Sequence, residues 1–277
     1  MKKALVGYQV YSARAEAEKD LRGVLEQIKK IGYDGVEFAG FYGHAPEDVR
    51  RMVDEVGLVP ISSHYPWQLI EKDMYMTISI HKTIGCEYIA IPYLDEATRP
   101  GSAGFSKTLR NIYKFGALCR GAGLTLMYHN HDFEFQKLSG EYGLDFLYNA
   151  VPEEYLATEI DCCWVKYAGE DPAAYIRKYA GRCPIVHLKD YVGVKGGKQP
   201  YDLLKSDGEG ASDGGSDAEV AFEFRPVGHG CQDVKSLVEA GIESGAKWFI
   251  VEQDLSLTRP PLEAAKMSLE TIRNLGV

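Results

Sequence analysis

The segment from Tyr128 to Phe135 reads YHNHDFEF and combines side chains that bind metal ions and move protons. It contains His129, His131 and Glu134, and it directly follows LTLM, an apolar run typical of a buried strand. Imidazole nitrogens and carboxylate oxygens bind divalent metals and also act as general acids or bases. The segment therefore indicates either a polar loop or a point where several strands converge on one chemical site.

Three later strand-like runs also carry carboxylates or imidazoles at their ends. Asp161 closes LATEID, His187 lies in IVHLK, and Glu252 lies in WFIVEQ. Two carboxylates and an imidazole form a ligand set suited to Mn²⁺, Mg²⁺, Co²⁺ or Zn²⁺. A fourth ligand is expected from YHNHDFEF, where His129 is nearest the strand end and Glu134 offers a carboxylate oxygen. The sequence leaves the choice between these two residues open.

Each of these residues also has an ordinary structural explanation. A histidine on a buried strand, such as His187, is often only hydrogen-bonded within the core. Asp161 could cap the segment that follows it, Glu252 could pair with a lysine, and Lys189 with Asp190 could form a surface pair. Because several unrelated structural roles would have to occur together at strand ends, a shared site is the favoured interpretation.

The elements that must position these residues are short strands alternating with longer stretches of helical periodicity. The strand-like runs lack regular polar and apolar alternation, which is typical of parallel strands covered on both faces. Eight strand and helix units predict an α/β fold, a (β/α)8 TIM barrel that forms a single domain over residues 1–277. An open doubly wound sheet would need a glycine-rich turn after its first strand, and GYQVYSAR has none. The predicted strands are ALVGY (4–8), GVEFA (35–39), VPISSH (59–64), YIAIPY (88–93), LTLMYH (124–129), LATEID (156–161), IVHLK (185–189) and WFIVEQ (248–253).

In such a barrel the C-terminal ends of all strands open onto one face, so side chains distant in sequence meet there. A Gly-, Ser- and Asp-rich segment at about residues 191–222 interrupts the alternation after the seventh strand. Its composition also fits a linker between domains, but one more helix and strand follow it. We therefore predict a loop insertion on the active face.

The composition limits the class of partner. The 277 residues include 31 Lys and Arg against 40 Asp and Glu, and the resulting net charge of -9 argues against nucleic-acid binding. The six cysteines form no CxxC pair, so neither a disulfide framework nor a zinc ribbon is indicated. No apolar run approaches membrane-spanning length. The expected location is a reducing cytoplasm, away from membranes.

Taken together, these motifs resemble the xylose isomerase-like TIM-barrel superfamily, the sugar phosphate isomerase/epimerase group. The likeness covers essentially the whole chain and is carried by YHNHDFEF, EIDCCWV, VHLKDY and VEQD. The family uses a Glu, an Asp, a His and a Glu from the fifth to eighth strands, which implies Asp161, His187 and Glu252 as ligands here. The fifth-strand position departs from this pattern, so either His129 substitutes for the Glu or Glu134 reaches back.

The resemblance implies a divalent-metal-dependent isomerase or epimerase that acts on a sugar, keto-sugar or inosose through an enediolate. A metal that chelates a carbonyl and its neighbouring hydroxyl stabilises the charge formed when the adjacent proton leaves. Glu252 is expected to act as ligand and proton-transfer partner on one face, with His131 or Glu134 on the other. Lys189 is expected to polarise a substrate oxygen.

Further residues are candidates for substrate binding. Gln9, Glu37 and His64 would hold hydroxyls, and the rings of Trp67 and Tyr93 would form an apolar wall against the sugar. Arg225, which precedes a GHG turn, is a candidate anion contact. No other phosphate-binding motif is visible, so an unphosphorylated sugar or 3-keto-glycoside is favoured.

Two other activities remain as alternatives. One is a metal-dependent lyase or dehydratase on a 3-keto-glycoside or inosose, as one subunit of a complex that cleaves C-glycosides. The other is a nuclease like endonuclease IV acting on abasic DNA, which the acidic charge balance disfavours. The sequence leaves open whether the chain forms a homo-oligomer or binds a partner subunit.

Overall fold

The computed structural model describes residues 5–193 and 222–276. Within them, eight parallel strands close into a barrel in which each strand pairs with its neighbours in sequence and the first pairs with the last. The predicted α/β architecture, a single-domain TIM barrel, is confirmed. The barrel strands are β1 (Leu5–Gln9), β2 (Gly35–Ala39), β3 (Val59–His64), β4 (Tyr88–Ile91), β5 (Thr125–His129), β6 (Ala157–Asp161), β7 (Ile185–Leu188) and β8 (Trp248–Val251).

Helices surround the barrel and connect its strands. Two of them, Pro46–Val56 and Met74–Ile84, are followed by Gly57 and Gly85, whose φ angles of 76° and 87° lie in the left-handed region that favours glycine. The helices are α1 (Arg14–Ile31), α2 (Pro46–Val56), α3 (Trp67–Lys72), α4 (Met74–Ile84), α5 (Phe105–Gly121), α6 (Gly143–Ala150), α7 (Cys162–Tyr167), α8 (Pro172–Lys178), α9 (Val234–Glu243) and α10 (Pro261–Asn274), with short 3-10 helices at Val10–Ala13 and Phe133–Phe135. None of the helices described is long and apolar enough to cross a membrane.

Two short antiparallel ribbons lie outside the barrel sheet. Lys137–Leu138 pairs with Glu141–Tyr142, and Asp190–Val192 pairs with Glu223–Arg225. The predicted loop insertion at about residues 191–222 begins and ends in the second ribbon, and its residues 194–221 lie outside those described. Asp190, which precedes the insertion, is bound to the segment that follows it. Its carboxylate accepts hydrogen bonds from the backbone of Gly228, Gly230 and Gln232 at 2.9–3.1 Å.

The barrel interior is apolar towards the N-terminal ends of the strands. Gly7 and Gly35 leave space there for larger neighbours, since a Cβ on Gly7 would lie 2.4 Å from Ile61 Cδ1 and one on Gly35 would lie 2.6 Å from the carbonyl oxygen of Val59. The layer is therefore a packed core, as in other barrels of this type. Its side chains are those of Ile61, Tyr88, Ala90, Met127, Ala157, Ile185, Trp248 and Ile250.

Towards the C-terminal ends of the strands the interior becomes charged. Alternate residues of a strand point to the same face, so Ala157 on β6 is followed inside the barrel by Glu159 and Asp161. In the same way Met127 on β5 is followed by His129. These polar side chains are buried, with 0–2% of their surface exposed. The barrel thus places a buried charged layer directly above its apolar core.

A buried histidine outside this layer predicts a pH dependence of stability. His81 on α4 is 0% exposed, its Nδ1 lies 2.7 Å from the carbonyl oxygen of Thr77, and its Nε2 meets no hydrogen-bond partner among the described residues. Burial lowers the pKa of His81 from 6.5 to about 4, against the opposing effect of the Thr77 hydrogen bond. The unfolded chain therefore binds this proton at a higher pH than the folded chain does.

The contribution of neutral His81 to the free energy of unfolding is therefore fully present above pH 6.5. It falls by about 3 kcal/mol as the pH is lowered towards 4. We expect His81→Leu to remove this part of the acid sensitivity. Urea unfolding at pH 7 and pH 4 measures it as the difference between wild type and variant, which cancels the contributions of other groups. Parallel losses of stability in the two proteins would contradict the assignment.

Candidate metal centre

A cavity of about 430 Å³ opens at the C-terminal ends of the barrel strands. Its polar lining consists of His64, His129, His131, Lys189, Glu252 and Asp254. Its remaining lining is largely aromatic and aliphatic, from Tyr11, Ala39, Gly40, Tyr65, Pro66, Leu69, Pro92 and Tyr93. A polar floor under apolar walls is the usual construction of a small-molecule site.

Four buried residues from the last four barrel strands form a compact donor group at this floor. His129, Asp161, His187 and Glu252 each offer one ligand atom, and these atoms all lie within 4.8 Å of one another. The Nδ1 of His187 lies 3.1 Å from Glu252 Oε2, and the Nε2 of His129 lies 3.6 Å from Asp161 Oδ2. Two imidazoles and two carboxylates can hold a divalent ion such as Mn²⁺ or Zn²⁺. We call these four residues the outer group.

The two oxygens of Asp161 have different environments. Oδ1 caps α7 by accepting a hydrogen bond from the backbone of Trp164 at 3.0 Å. Oδ2 is buried and meets no hydrogen-bond partner among the described residues. A buried oxygen without such a partner is costly unless another group satisfies it. The donor set and this unsatisfied oxygen fit a bound cation.

A second donor group adjoins the first and shares His129 and His187 with it. It adds His64 and Glu159, and all four ligand atoms again lie within 4.8 Å of one another. His64 Nε2 is 2.7 Å from Glu159 Oε2 and 3.1 Å from Glu37 Oε1. Burial alone would lower the pKa of His64, but the carboxylates of Glu37 and Glu159 raise it to about 10. His64 is therefore an imidazolium between two carboxylates.

Lys189 adds a second positive charge to the lining of the cavity. Its Nζ lies 2.8 Å from Asp254 Oδ1, 3.0 Å from Glu252 Oε2 and 3.5 Å from Asp161 Oδ2. Burial opposes the charged form, but Asp254, Glu252 and Asp161 together raise the pKa of Lys189 well above its usual value. The same ammonium, with His187, lowers the pKa of Glu252 despite its burial. Glu252 is thus an ionised carboxylate at the cavity surface.

The model of the family described as xylose isomerase-like TIM barrel matches residues 25–275 of the chain. The chain belongs to this family. The structure is similar to that of a sugar phosphate isomerase/epimerase from Parabacteroides distasonis, with a TM-score of 0.76 at 19% identity over 99% of this chain and 94% of that one. The family assignment made from the sequence motifs is confirmed.

Two further solved structures share the fold at low identity. One is of an L-ribulose 3-epimerase, with a TM-score of 0.69 at 14% identity over 99% of this chain and 94% of that one. The other is of a probable 3-DHS dehydratase from Bacillus anthracis, with a TM-score of 0.72 at 8% identity over 98% and 99% of the chains. Comparison with curated protein sequences gave no match. At these identities the likeness establishes the fold and not the reaction.

In this member of the family, the structure brings His129 and not Glu134 to the other ligand candidates. Glu134 belongs to neither donor group and does not line the cavity. It is 0% exposed, and its carboxylate accepts hydrogen bonds from the Tyr128 hydroxyl at 2.5 Å and the His131 backbone at 2.8 Å. Burial raises the pKa of Glu134 to about 7. The geometry therefore does not support the ligand and proton-transfer roles of Glu134, which stay predictions.

The structure brings His131 and Tyr93 to the cavity wall. The two rings meet edge to face with centroids 5.4 Å apart, and Phe133 stacks on His131 at 5.5 Å. Burial, reinforced by the charge of Lys189, lowers the pKa of His131 well below its usual value. His131 is therefore a neutral imidazole on the side of the cavity formed by the loop after β5. Tyr93 is 41% exposed and can contact a ligand.

Four predicted substrate contacts do not line this cavity. Gln9 is buried inside the barrel and donates a hydrogen bond to Glu37 at 2.8 Å, and Glu37 in turn contacts His64 and His187. Trp67, 1% exposed, begins α3 and packs into the core between strands and helices. Arg225 forms an ion pair with Glu223 on the outer ribbon. The described contacts of these four residues are structural, and their substrate roles stay predictions.

Two charged residues of the site were not among the predictions. Glu159 precedes Asp161 by two positions on β6, and Asp254 follows Glu252 by two positions after β8. Side chains two apart on an extended segment share a face, so the spacing from Asp161 and Glu252 could have indicated that both residues belong to the site. Burial raises the pKa of Asp254 to about 7 even though Lys189 opposes the shift.

Proposed function

We propose that the protein is a divalent-metal-dependent isomerase or epimerase that acts on an unphosphorylated sugar, keto-sugar or inosose through an enediolate. The observation that carries the proposal is the outer group, in which His129, Asp161, His187 and Glu252 converge below an open cavity. Asp161 Oδ2 supports a cation in this group, because it is buried and accepts no hydrogen bond in the described structure, although the ammonium of Lys189 lies 3.5 Å away.

A divalent ion bound there would stabilise the negative charge that develops on a substrate carbonyl oxygen. The residues of the chain supply the proton transfers. Glu252 is ionised and reaches the cavity, so it can remove the proton from the carbon beside the carbonyl. The ammonium of Lys189 adjoins Glu252 and can donate a hydrogen bond to the same substrate oxygen.

His131 also lines the cavity and is our candidate for the second proton transfer. As a neutral imidazole it can exchange a proton with the intermediate. Proton return to the opposite face of the same carbon gives epimerisation, and return to the neighbouring carbon gives isomerisation. Tyr11, Tyr65 and Tyr93 supply rings against which a sugar can pack while the floor holds its oxygens.

The charges of the cavity favour a substrate without phosphate. Among the described residues that line it, Lys189 is the only lysine or arginine, and its ammonium already contacts three carboxylates. A phosphate would bring two negative charges close to Glu252 and Asp254, while the His64 imidazolium that also lines the cavity is already paired with Glu37 and Glu159. A neutral sugar avoids this repulsion and leaves the carboxylates for cation binding.

Chelation provides the direct test of the proposal. Wild-type protein should exchange one carbon-bound proton of its substrate with D₂O, which NMR detects across a panel of sugars, keto-sugars and inososes. Treatment with EDTA should abolish the exchange, and Mn²⁺ should restore it. Unchanged exchange in protein verified as metal-free would refute metal dependence, while release of a β-oxygen would identify a dehydratase instead.

A further inference from the structure

His129 faces a different carboxylate with each ring nitrogen. Its Nδ1 is hydrogen-bonded to Glu159 Oε2 at 3.2 Å, and its Nε2 faces Asp161 Oδ2 at 3.6 Å. A neutral imidazole has one nitrogen that donates and one that accepts. Because a carboxylate only accepts, the hydrogen bond to Glu159 requires the proton on Nδ1. The lone pair of His129 is then on Nε2, directed towards the outer group.

The pairing of the barrel strands positions Glu159 for its contact with His129. It lies directly opposite His129 in the pairing of β5 with β6, and both side chains point into the barrel. Its Oε2 is also 2.7 Å from His64 Nε2, which gives the buried carboxylate a positive partner. Glu159 is 0% exposed and does not line the cavity, so it cannot touch a substrate there. Any effect it has on the reaction must pass through its neighbours.

We propose that Glu159 is a positioning residue that holds His129 in the Nδ1-protonated tautomer and directs Nε2 towards the cation of the outer group. The proposal rests on the metal site of the proposed function. Histidines that bind metals usually hydrogen-bond through the other ring nitrogen to a carboxylate or carbonyl, which fixes the ring and makes it a stronger ligand. Glu159 also adds negative charge near a site where two of four ligands are neutral.

The tautomer can be measured without metal, substrate or any variant of Glu159. In metal-free protein labelled with ¹⁵N-histidine, long-range ¹H–¹⁵N correlations distinguish the protonated nitrogen of each ring. His129→Gln assigns the His129 signals by their disappearance. We expect protonation at Nδ1 only. Protonation at Nε2, or at both nitrogens near neutral pH, would overturn the proposal even if the enzyme is metal-dependent.

Metal affinity supplies the second test. Glu159→Gln keeps the shape of the side chain but removes its charge, and we expect it to weaken Mn²⁺ binding in calorimetric titration by about 10–100-fold. Asp145→Asn is the matched control, because Asp145 is also buried and accepts a hydrogen bond from Tyr179 at 2.6 Å but lies on α6, away from the cavity. Its Mn²⁺ affinity should equal that of wild type.

The possible outcomes separate the two proposals. Wild type that binds Mn²⁺ with Glu159→Gln binding equally well would overturn the role of Glu159 and leave the proposed function standing. Wild type that binds no divalent ion would overturn the proposed function. Two ions per wild-type chain and one per Glu159→Gln chain would make Glu159 a ligand of a second ion, together with His64, and would also overturn the positioning role.

Discussion

Asp161→Asn is expected to abolish Mn²⁺ binding at the outer group while the protein remains folded. The asparagine keeps an oxygen that can accept the hydrogen bond now made from the Trp164 backbone to Oδ1, so α7 retains its cap. It removes the charge of Oδ2, the buried oxygen that meets no hydrogen-bond partner in the described structure. Loss of a direct ligand should exceed the roughly 10–100-fold cost of losing an outer-shell partner.

The next helix provides a matched control for this variant. Asp171 caps α8 through hydrogen bonds from Ala173 and Ala174, and Asp171→Asn makes the same chemical change at a cap outside the cavity. Calorimetric Mn²⁺ titration and thermal unfolding should show similar small stability changes in both variants but loss of metal binding only in Asp161→Asn. Wild-type Mn²⁺ affinity in Asp161→Asn would exclude Asp161 as a ligand.

The fold was predictable because local patterns and overall architecture agree. Each predicted strand overlaps an observed barrel strand, and the barrel rule that all C-terminal ends share one face brought Asp161, His187 and Glu252 together from sequence alone. No knowledge of side-chain contacts was needed. The parallel order of the strands fixes which ends meet, and the residue types at those ends then indicate the chemistry.

The sequence did not predict how deep within the barrel each candidate side chain lies. Gln9 and Glu37 lie at or near strand ends as predicted, but both are completely buried inside the barrel, where Gln9 donates a hydrogen bond to Glu37 and Glu37 contacts His64 and His187. Trp67 follows Pro66 at the start of α3, and the helix turns the indole into the core. Sequence spacing does not determine how far above the apolar layer a side chain lies.

The choice between His129 and Glu134 also depended on local geometry. Glu134 lies in a 3-10 helix, where its carboxylate bonds to its own loop through the His131 backbone and to the Tyr128 hydroxyl. Such local hydrogen bonds compete with longer-range contacts, and no sequence pattern ranks the two. The strand position of His129, opposite Glu159 in the sheet, brings its ring to the other ligand candidates through backbone pairing.

Lys189→Met is expected to destabilise the metal-free protein by about 3–5 kcal/mol, because it leaves buried carboxylates without their cation. Methionine keeps an apolar side chain of similar length but removes the ammonium, which also lies 5.3 and 5.5 Å from the ring centroids of Trp164 and Phe224, so the loss is mainly electrostatic. Asp161, Glu252 and Asp254 would then repel one another within the cavity floor. Urea unfolding after EDTA treatment measures the effect.

Lys178→Met is the matched control, since its ammonium lies 2.6 Å from Asp145 but the side chain is 46% exposed. An exposed pair of this kind contributes about 1 kcal/mol or less. Saturating Mn²⁺ should stabilise Lys189→Met more than wild type, because the ion replaces the missing positive charge and binds only the folded state. If Mn²⁺ stabilises both proteins equally, the ammonium and the ion do not share these carboxylates, and the electrostatic account of the cavity floor is wrong.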